Sequence, residues 1–471
     1  MFLQQLYTSC ISEAAYYIES NGEAAVVDPL RDIDEYLQMA TERKAQIKYI
    51  FETHFHADFI SGHLDLAAAT GATIIYGPGT RTSFPVHVAK DGETFILGDI
   101  SIEVLHTPGH TLESSCYLLK DEHKKPHAIF TGDTLFVGDV GRPDLSQKGD
   151  ILTMQDLAAM LYDSLQKKIM PLADDIIMYP AHGAGSSCGK NLGPETYSTM
   201  GEQKATNYAL QPQTKEAFVK AVTEGLTEPP QYFLINAKIN KEGYESLASI
   251  FEKALKPLSI EAFKTLLQDD ATILLDTRPA VDFTNGFIPG SIFIGLEGRF
   301  AEWAGSLLPF DKHIILVTEI GKEKETITRL ARVGFEKIIG YLDGGFTSWH
   351  TAGEKIDLLI DVEADELAMD IPFDEKLIVV DVRKELEYGD GHLKQSINIP
   401  LNDMMDPASM VNLEDDQNIY VQCAGGYRST IASSLLKRQG IHNIRNVVGG
   451  WKNIIEIKDK FQIEKTQEVL N

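Results

Sequence analysis

Only four of the 471 residues are cysteine: Cys10, Cys116, Cys188 and Cys423. So few thiols exclude a disulfide-dense secreted scaffold and fit a reducing compartment, where a cysteine that matters is catalytic rather than structural. Positive charge is also short, with 43 Lys plus Arg against 69 Asp plus Glu, a formal net charge of −26. Such a surface repels a phosphate backbone and argues against a nucleic-acid partner. No apolar run approaches the ~18 residues of a membrane span. The stretch MFLQQLYTSCISEAAYYIES has no basic start before its apolar residues, unlike a signal peptide. The expectation is a cytoplasmic globular protein without a membrane partner, too long for one core and divided into three domains.

What is present begins with alternating β-rich and helical runs over the first ~235 residues. Residues 24–28, 49–54, 72–77 and 102–107 read as strands, and 32–45 and 61–70 as helices. A mostly helical segment over about 210–255, interrupted by Pro229-Pro230, closes the first domain. Beyond it the chain repeats itself. Leu275-Asp276-Thr277-Arg278 recurs as Val380-Asp381-Val382-Arg383, Gly286 and Ser291 as Gly391 and Ser396, and Asp343-Gly344-Gly345-Phe346 as Val448-Gly449-Gly450-Trp451. One shift of 105 residues relates all these pairs. Each copy reads as a small α/β domain around a parallel sheet, which predicts domains over 1–255, 256–360 and 361–471.

Histidines and aspartates gather at strand ends in the first domain. They are His54, His56 and Asp58 in Thr53-His54-Phe55-His56-Ala57-Asp58, then His110, Asp133 and His182, each beside Gly or Pro in a tight loop. Imidazole with carboxylate suits zinc or iron rather than calcium or magnesium. The histidines at 87, 123, 127, 313, 350, 392 and 442 read as ordinary surface or hydrogen-bonded residues. The set at 54, 56, 58, 110, 133 and 182, in this order, resembles the metallo-β-lactamase superfamily, whose fold is an αββα sandwich. That resemblance implies His54, His56, His110 and Asp133 around one metal and Asp58, Asp133 and His182 around a second. Position 59, where the superfamily has a histidine ligand, is Phe59, and a phenyl ring cannot ligate. An impaired second site weakens a two-metal hydrolase.

The pattern resembles in particular the persulfide dioxygenases of the glyoxalase II-like branch. This resemblance implies one Fe(II) per chain on His54, His110 and Asp133, with His56, Asp58 and His182 orienting ligands or remaining from a second site. Zn(II) is the alternative metal. Two neighbouring stretches add candidates. Arg142, in Gly141-Arg142-Pro143-Asp144, either steers a substrate carboxylate or braces the fold. Cys188, near Lys190 and shortly after His182, either accepts persulfide sulfur or is a buried spectator. Cys10 and Cys116 read as packing residues.

Cys423-Ala424-Gly425-Gly426-Tyr427-Arg428 lies between a β-run and a helix-like stretch. A cysteine there faces several backbone N–H groups, which stabilise a thiolate or a persulfide anion, and Arg428 adds charge or braces the loop. With the Asp-x-Arg and Gly-Gly-Trp elements, residues 362–460 resemble a rhodanese domain with the CxxGxR loop of sulfurtransferases. In that reading Ala424, Gly425, Gly426 and Tyr427 contact the substrate. The same shift places Thr318 opposite Cys423, so the first copy has no nucleophile and is left to position the last domain or to join copies of the chain in a homo-oligomer. The function implied is oxidation of a low-molecular-weight persulfide by dioxygen to sulfite, coupled to sulfur transfer involving thiosulfate or thiols. The thiol is of the glutathione, coenzyme A or bacillithiol type. The alternative is a zinc thioester hydrolase resembling glyoxalase II, with accessory rhodanese domains.

Overall fold

The computed structural model describes residues 1–146, 152–226, 228–411, 413–414 and 416–466. It divides into two compact units, Met1–Ile250 with Thr328–Glu336, and Phe251–Ile327 with the described residues from Lys337 onward.

The first unit carries an αββα sandwich. One six-stranded sheet runs, edge to edge, Phe2–Thr8, Glu13–Ser20, Glu23–Val27, Gln46–Glu52, Thr73–Tyr76 and His87–Val88. The other runs Ser198–Thr199, Ile177–Pro180, Pro126–Gly132, Ser115–Lys120, Ile100–His106 and Thr94–Leu97. Strands buried on both faces alternate their apolar side chains between two cores. Tyr16, Ile18, Ala25 and Val27 pack with Val104, Tyr117 and Phe130 between the sheets. Tyr17, Ala24 and Val26 pack on the other side with Tyr36, Ala40 and Leu66, from helices Asp34–Arg43 and His63–Thr70. Helices Met154–Ser164 and Lys215–Thr223 cover the second sheet in the same way.

The expected elements are present with shifted ends. The run expected as a strand to His54 stops at Glu52. Beyond it the Thr53 N–H donates to the Asp28 carboxylate (2.7 Å) rather than to a neighbouring strand, which turns the chain out of the sheet. The Pro229-Pro230 pair falls between helices Lys215–Thr223 and Tyr232–Glu242, as a pair of missing donors dictates.

The second unit holds two α/β domains with parallel five-stranded sheets. The first sheet is ordered Pro257–Leu258, Ile338–Leu342, His313–Val317, Thr272–Asp276, Ile292–Phe293. The second is ordered Ile360–Val362, Ile444–Val447, Asn418–Gln422, Leu377–Asp381, Ile397–Asn398. The repeated motif residues form one clamp in each copy. Arg383 bonds Asp381, donates to the Gly391 carbonyl (2.8 Å) and lies 4.3 Å from the Trp451 ring. Arg278 does the same with Asp276, Gly286 (2.9 Å) and Phe346 (4.1 Å). The most legible part of the repeat is therefore architecture: a buried cation satisfied by carboxylate, carbonyl and aromatic face.

Gly450 shows how closely this frame meets the cysteine loop. Its φ is +54°, and a Cβ added there would lie 2.1 Å from the Cys423 carbonyl oxygen. Gly450→Ala is expected to destabilise the last domain by about 2–4 kcal/mol, from left-handed strain plus overpacking. A urea midpoint within error of wild type would contradict this.

Candidate active sites

The four loops of the first unit that carry the candidate ligands leave the ends of strands. His54 follows Gln46–Glu52, His110 follows Ile100–His106, Asp133 follows Pro126–Gly132, and His182 follows Ile177–Pro180. The folded chain brings His54, His110 and Asp133 together: the Nε2 atoms of His54 and His110 lie 3.8 and 3.3 Å from Asp133 Oδ2. All three side chains are buried, and their facing atoms have no hydrogen-bond partner. Orphaned buried polar atoms are costly unless something satisfies them, and a metal ion does so for this donor set.

Each imidazole is also fixed from behind. His110 Nδ1–H donates to the Arg142 carbonyl (2.8 Å), and His182 Nδ1–H donates to the Ser12 carbonyl (3.0 Å). The Thr53 hydroxyl donates to Asp28 Oδ2 (2.8 Å) and accepts from His54 Nδ1 (3.0 Å). This leaves every Nε2 lone pair facing inward. Burial, together with His56, His110 and His182, holds the His54 pKa well below the ordinary range, so it stays a neutral donor. Thr53→Val keeps the shape and removes the acceptor. It is expected to weaken metal binding about 10–100-fold, the usual effect of losing an outer partner, as read by competition with a chelator.

His56 is not in this group. Its Nε2 points away, 3.0 Å from Asp28 Oδ1 and 3.5 Å from Glu52 Oε2. Burial opposes its charge, but the two carboxylates outweigh burial and raise its pKa well above the ordinary range. The superfamily pattern would put His56 on the first metal, whereas its Nε2 faces Asp28 and Glu52 instead. Phe59 fills the space against it, with ring centroids 4.3 Å apart, and is fully buried. Asp28, Glu52 and Thr53 were missed as functional residues; the only signal was a carboxylate at the end of each of two buried strands.

Asp58, His182 and Cys188 form a second buried group. His182 Nε2 lies 3.3 Å from Asp58 Oδ2 and 3.4 Å from Asp133 Oδ1, so Asp133 faces both groups. Cys188 keeps both of its open roles, with the Asp58–His182 group beside it. Burial, Asp58 and Asp133 push its thiol pKa well up, while the Lys190 ammonium donates to the carbonyls of Ala221 and Glu224. Arg142, of the two roles left open, takes the bracing one. Its guanidinium binds Asp144 in bidentate fashion (2.7 Å twice) and donates to the Ser187 carbonyl (3.2 Å).

In the second unit Cys423 ends the strand Asn418–Gln422, ahead of helix Tyr427–Arg438. The Gly426 N–H donates to Cys423 Sγ (3.1 Å). In the other copy the counterpart Gly321 N–H donates to the Glu323 carboxylate (3.1 Å), and the Thr318 hydroxyl is spent on the Glu319 carbonyl (2.9 Å). That cradle holds its own anion. Arg428 does not face the thiol freely, because Glu387 binds it in bidentate fashion (2.7 and 2.8 Å). Tyr427, expected to contact substrate, gives its hydroxyl to the Gly295 carbonyl of the other copy (2.7 Å).

Comparison with known proteins places these sites in families. The metallo-beta-lactamase superfamily model matches residues 10–182, and the rhodanese-like domain model matches 259–352 and 363–456. The crystal structure of a metallo-beta-lactamase from Staphylococcus aureus is 31% identical, with a TM-score of 0.65 over 73% of this chain and 98% of that one. The chain belongs to the metallo-beta-lactamase superfamily. This metallo-beta-lactamase-fold protein continues into two rhodanese domains. It is 33% identical to "Probable hydroxyacylglutathione hydrolase glo2" of Schizosaccharomyces pombe, over 34% of this chain and 58% of that protein. The chain thus spans less than two thirds of the length of the curated relatives it matches. ETHE1 from Myxococcus xanthus is 29% identical, with a TM-score of 0.44 over 51% of this chain and 98% of that one. The fold binds metal ions, and both families are enzymes. No helix among the described residues is long and apolar enough to cross a membrane.

Proposed function

We propose that this protein is a persulfide dioxygenase coupled to a sulfurtransferase. The observation that carries the reading is the two-histidine, one-carboxylate set His54, His110 and Asp133, with Phe59 where the superfamily has a ligand, in one chain with a cradled Cys423. His54, His110 and Asp133 would hold Fe(II), which would supply the activation of dioxygen. The overall change balances as RSSH + O2 + H2O → RSH + SO3²⁻ + 2 H⁺, with the outer sulfur losing four electrons to dioxygen. In this reading His54 and His110 present fixed lone pairs, Asp133 supplies the negative charge, and the buried walls exclude bulk water. Cys423 then passes sulfane sulfur to sulfite or a thiol. The persulfide carrier is a thiol of the glutathione, coenzyme A or bacillithiol type.

The test is oxygen uptake with sulfite formation when iron-loaded protein meets glutathione persulfide. Uptake matched by sulfite supports the reading, and no uptake with any such persulfide overturns it. A second reading, a zinc thioester hydrolase, is favoured by the orphaned oxygens of Asp58 beside His182, a donor set suited to a second ion. It predicts hydrolysis of S-lactoylglutathione by the zinc-loaded protein.

A further inference from the structure

A cavity opens over Cys423 and is walled by both rhodanese copies. Its volume is about 980 Å³. An inorganic sulfur anion such as thiosulfate displaces only a few water volumes of ~30 Å³ each, whereas cavities of this size accommodate organic ligands. Charge does not select between the donors. Glu297 and Asp361 line the cavity beside the Arg428–Glu387 and Arg299–Glu302 pairs, and Lys384 is the one further base. Four acids against three bases leave a lining one negative charge below neutral, so it is cavity size and the apolar rim, not charge, that favour a donor with a carbon skeleton.

The mouth is apolar. Val281 and Leu386, 63% and 73% exposed, both line the cavity. They are equivalent under the 105-residue repeat, so each copy presents the same rim position. Val281 lies on helix Ala280–Thr284 and Leu386 on helix Glu385–Gly389. Trp303 of the cysteine-less copy adds a largely buried aromatic wall. The active loop is fixed to that copy as well, because the Tyr427 ring packs 6.2 Å from Phe293 and its hydroxyl binds Gly295.

We infer that the sulfur donor at Cys423 is an organic persulfide of peptide or nucleotide size, and that Val281 and Leu386 are specificity residues holding its carbon skeleton. The inference rests on Cys423 being the sulfur acceptor. The Cys423 thiolate attacks the outer sulfur of RS–SH, a new S–S bond forms, and the original one breaks. The thiolate RS⁻ leaves and is protonated by solvent, and Cys423 carries the persulfide, with no net gain or loss of electrons. The cysteine-less copy thus supplies half of a substrate site whose chemistry lies wholly in the other.

The test uses the full-length protein under argon, so that oxidation consumes no donor. Transfer of one sulfur to Cys423 is followed by intact mass, with glutathione persulfide or thiosulfate as donor, for wild type and for Val281→Ser/Leu386→Ser. Both side chains are exposed, so the fold tolerates the change. The double variant is expected to lose about tenfold in kcat/KM for glutathione persulfide, mostly through KM, with thiosulfate changed less than about twofold. Equal loss for both donors, no loss for either, or thiosulfate as the better donor of wild type would overturn the inference. Failure of both donors to charge Cys423 would instead remove the sulfurtransferase reading, and the inference with it.

Discussion

His110→Ala is expected to abolish both metal binding and oxygen uptake. His110 is fully buried, its Nδ1 held by the Arg142 carbonyl and its Nε2 3.3 Å from Asp133 Oδ2. Alanine removes one of three inward donors and leaves Asp133 facing His54 across an empty volume. Loss of an outer partner alone costs 10–100-fold in affinity, so loss of a ligand is expected to exceed about 100-fold. Metal content and oxygen consumption fall together, and the metal-dependent gain in thermal stability disappears because it follows the affinity. Sulfur transfer at Cys423 is the internal control and stays near wild type. A variant that retains iron and uptake would show that His110 is not a ligand.

Cys423→Ser is expected to separate the two proposed activities. A serine hydroxyl in the same cradle stays protonated and is a poor nucleophile, so sulfur transfer falls on the order of 10³-fold or more. The Gly426 N–H keeps an oxygen acceptor in place of Sγ, so stability changes by less than about 1 kcal/mol. Oxygen uptake with persulfide continues, and sulfite accumulates in place of thiosulfate. If uptake fell in parallel, the two sites would not be independent. If sulfur transfer persisted, another thiol would be the carrier, and Cys188 would be the first to examine.

Much of this site was readable before the fold was known, for a physical reason. Metal ligands and nucleophiles are polar residues beside Gly or Pro at strand ends, and these signals are local. His54, His110, Asp133 and Cys423 stood out this way. The direction of each side chain did not. His56 and His54 are two residues apart at a strand end, and the superfamily resemblance put both on one metal. A bond from Thr53 to Asp28 ends the strand, and His56 turns to Asp28 and Glu52. Arg142 was ambiguous because Asp144 lies two residues away, whereas the Ser187 carbonyl that completes its brace lies 45 residues on.

The three-part organisation, the repeat of 105 residues, the histidine–aspartate donor set and the presence of a loop cysteine in one rhodanese copy alone were legible in the chain. Each depends on residue identity and spacing along the chain. Packing settled which histidines face one another, that the Lys190 ammonium goes to the carbonyls of Ala221 and Glu224, and that Glu323 fills the cradle of the copy lacking cysteine. It also decided that Val281 and Leu386 share one cavity. Such pairings join residues distant in sequence, and they form because a buried polar atom takes whichever partner the packed core brings within reach.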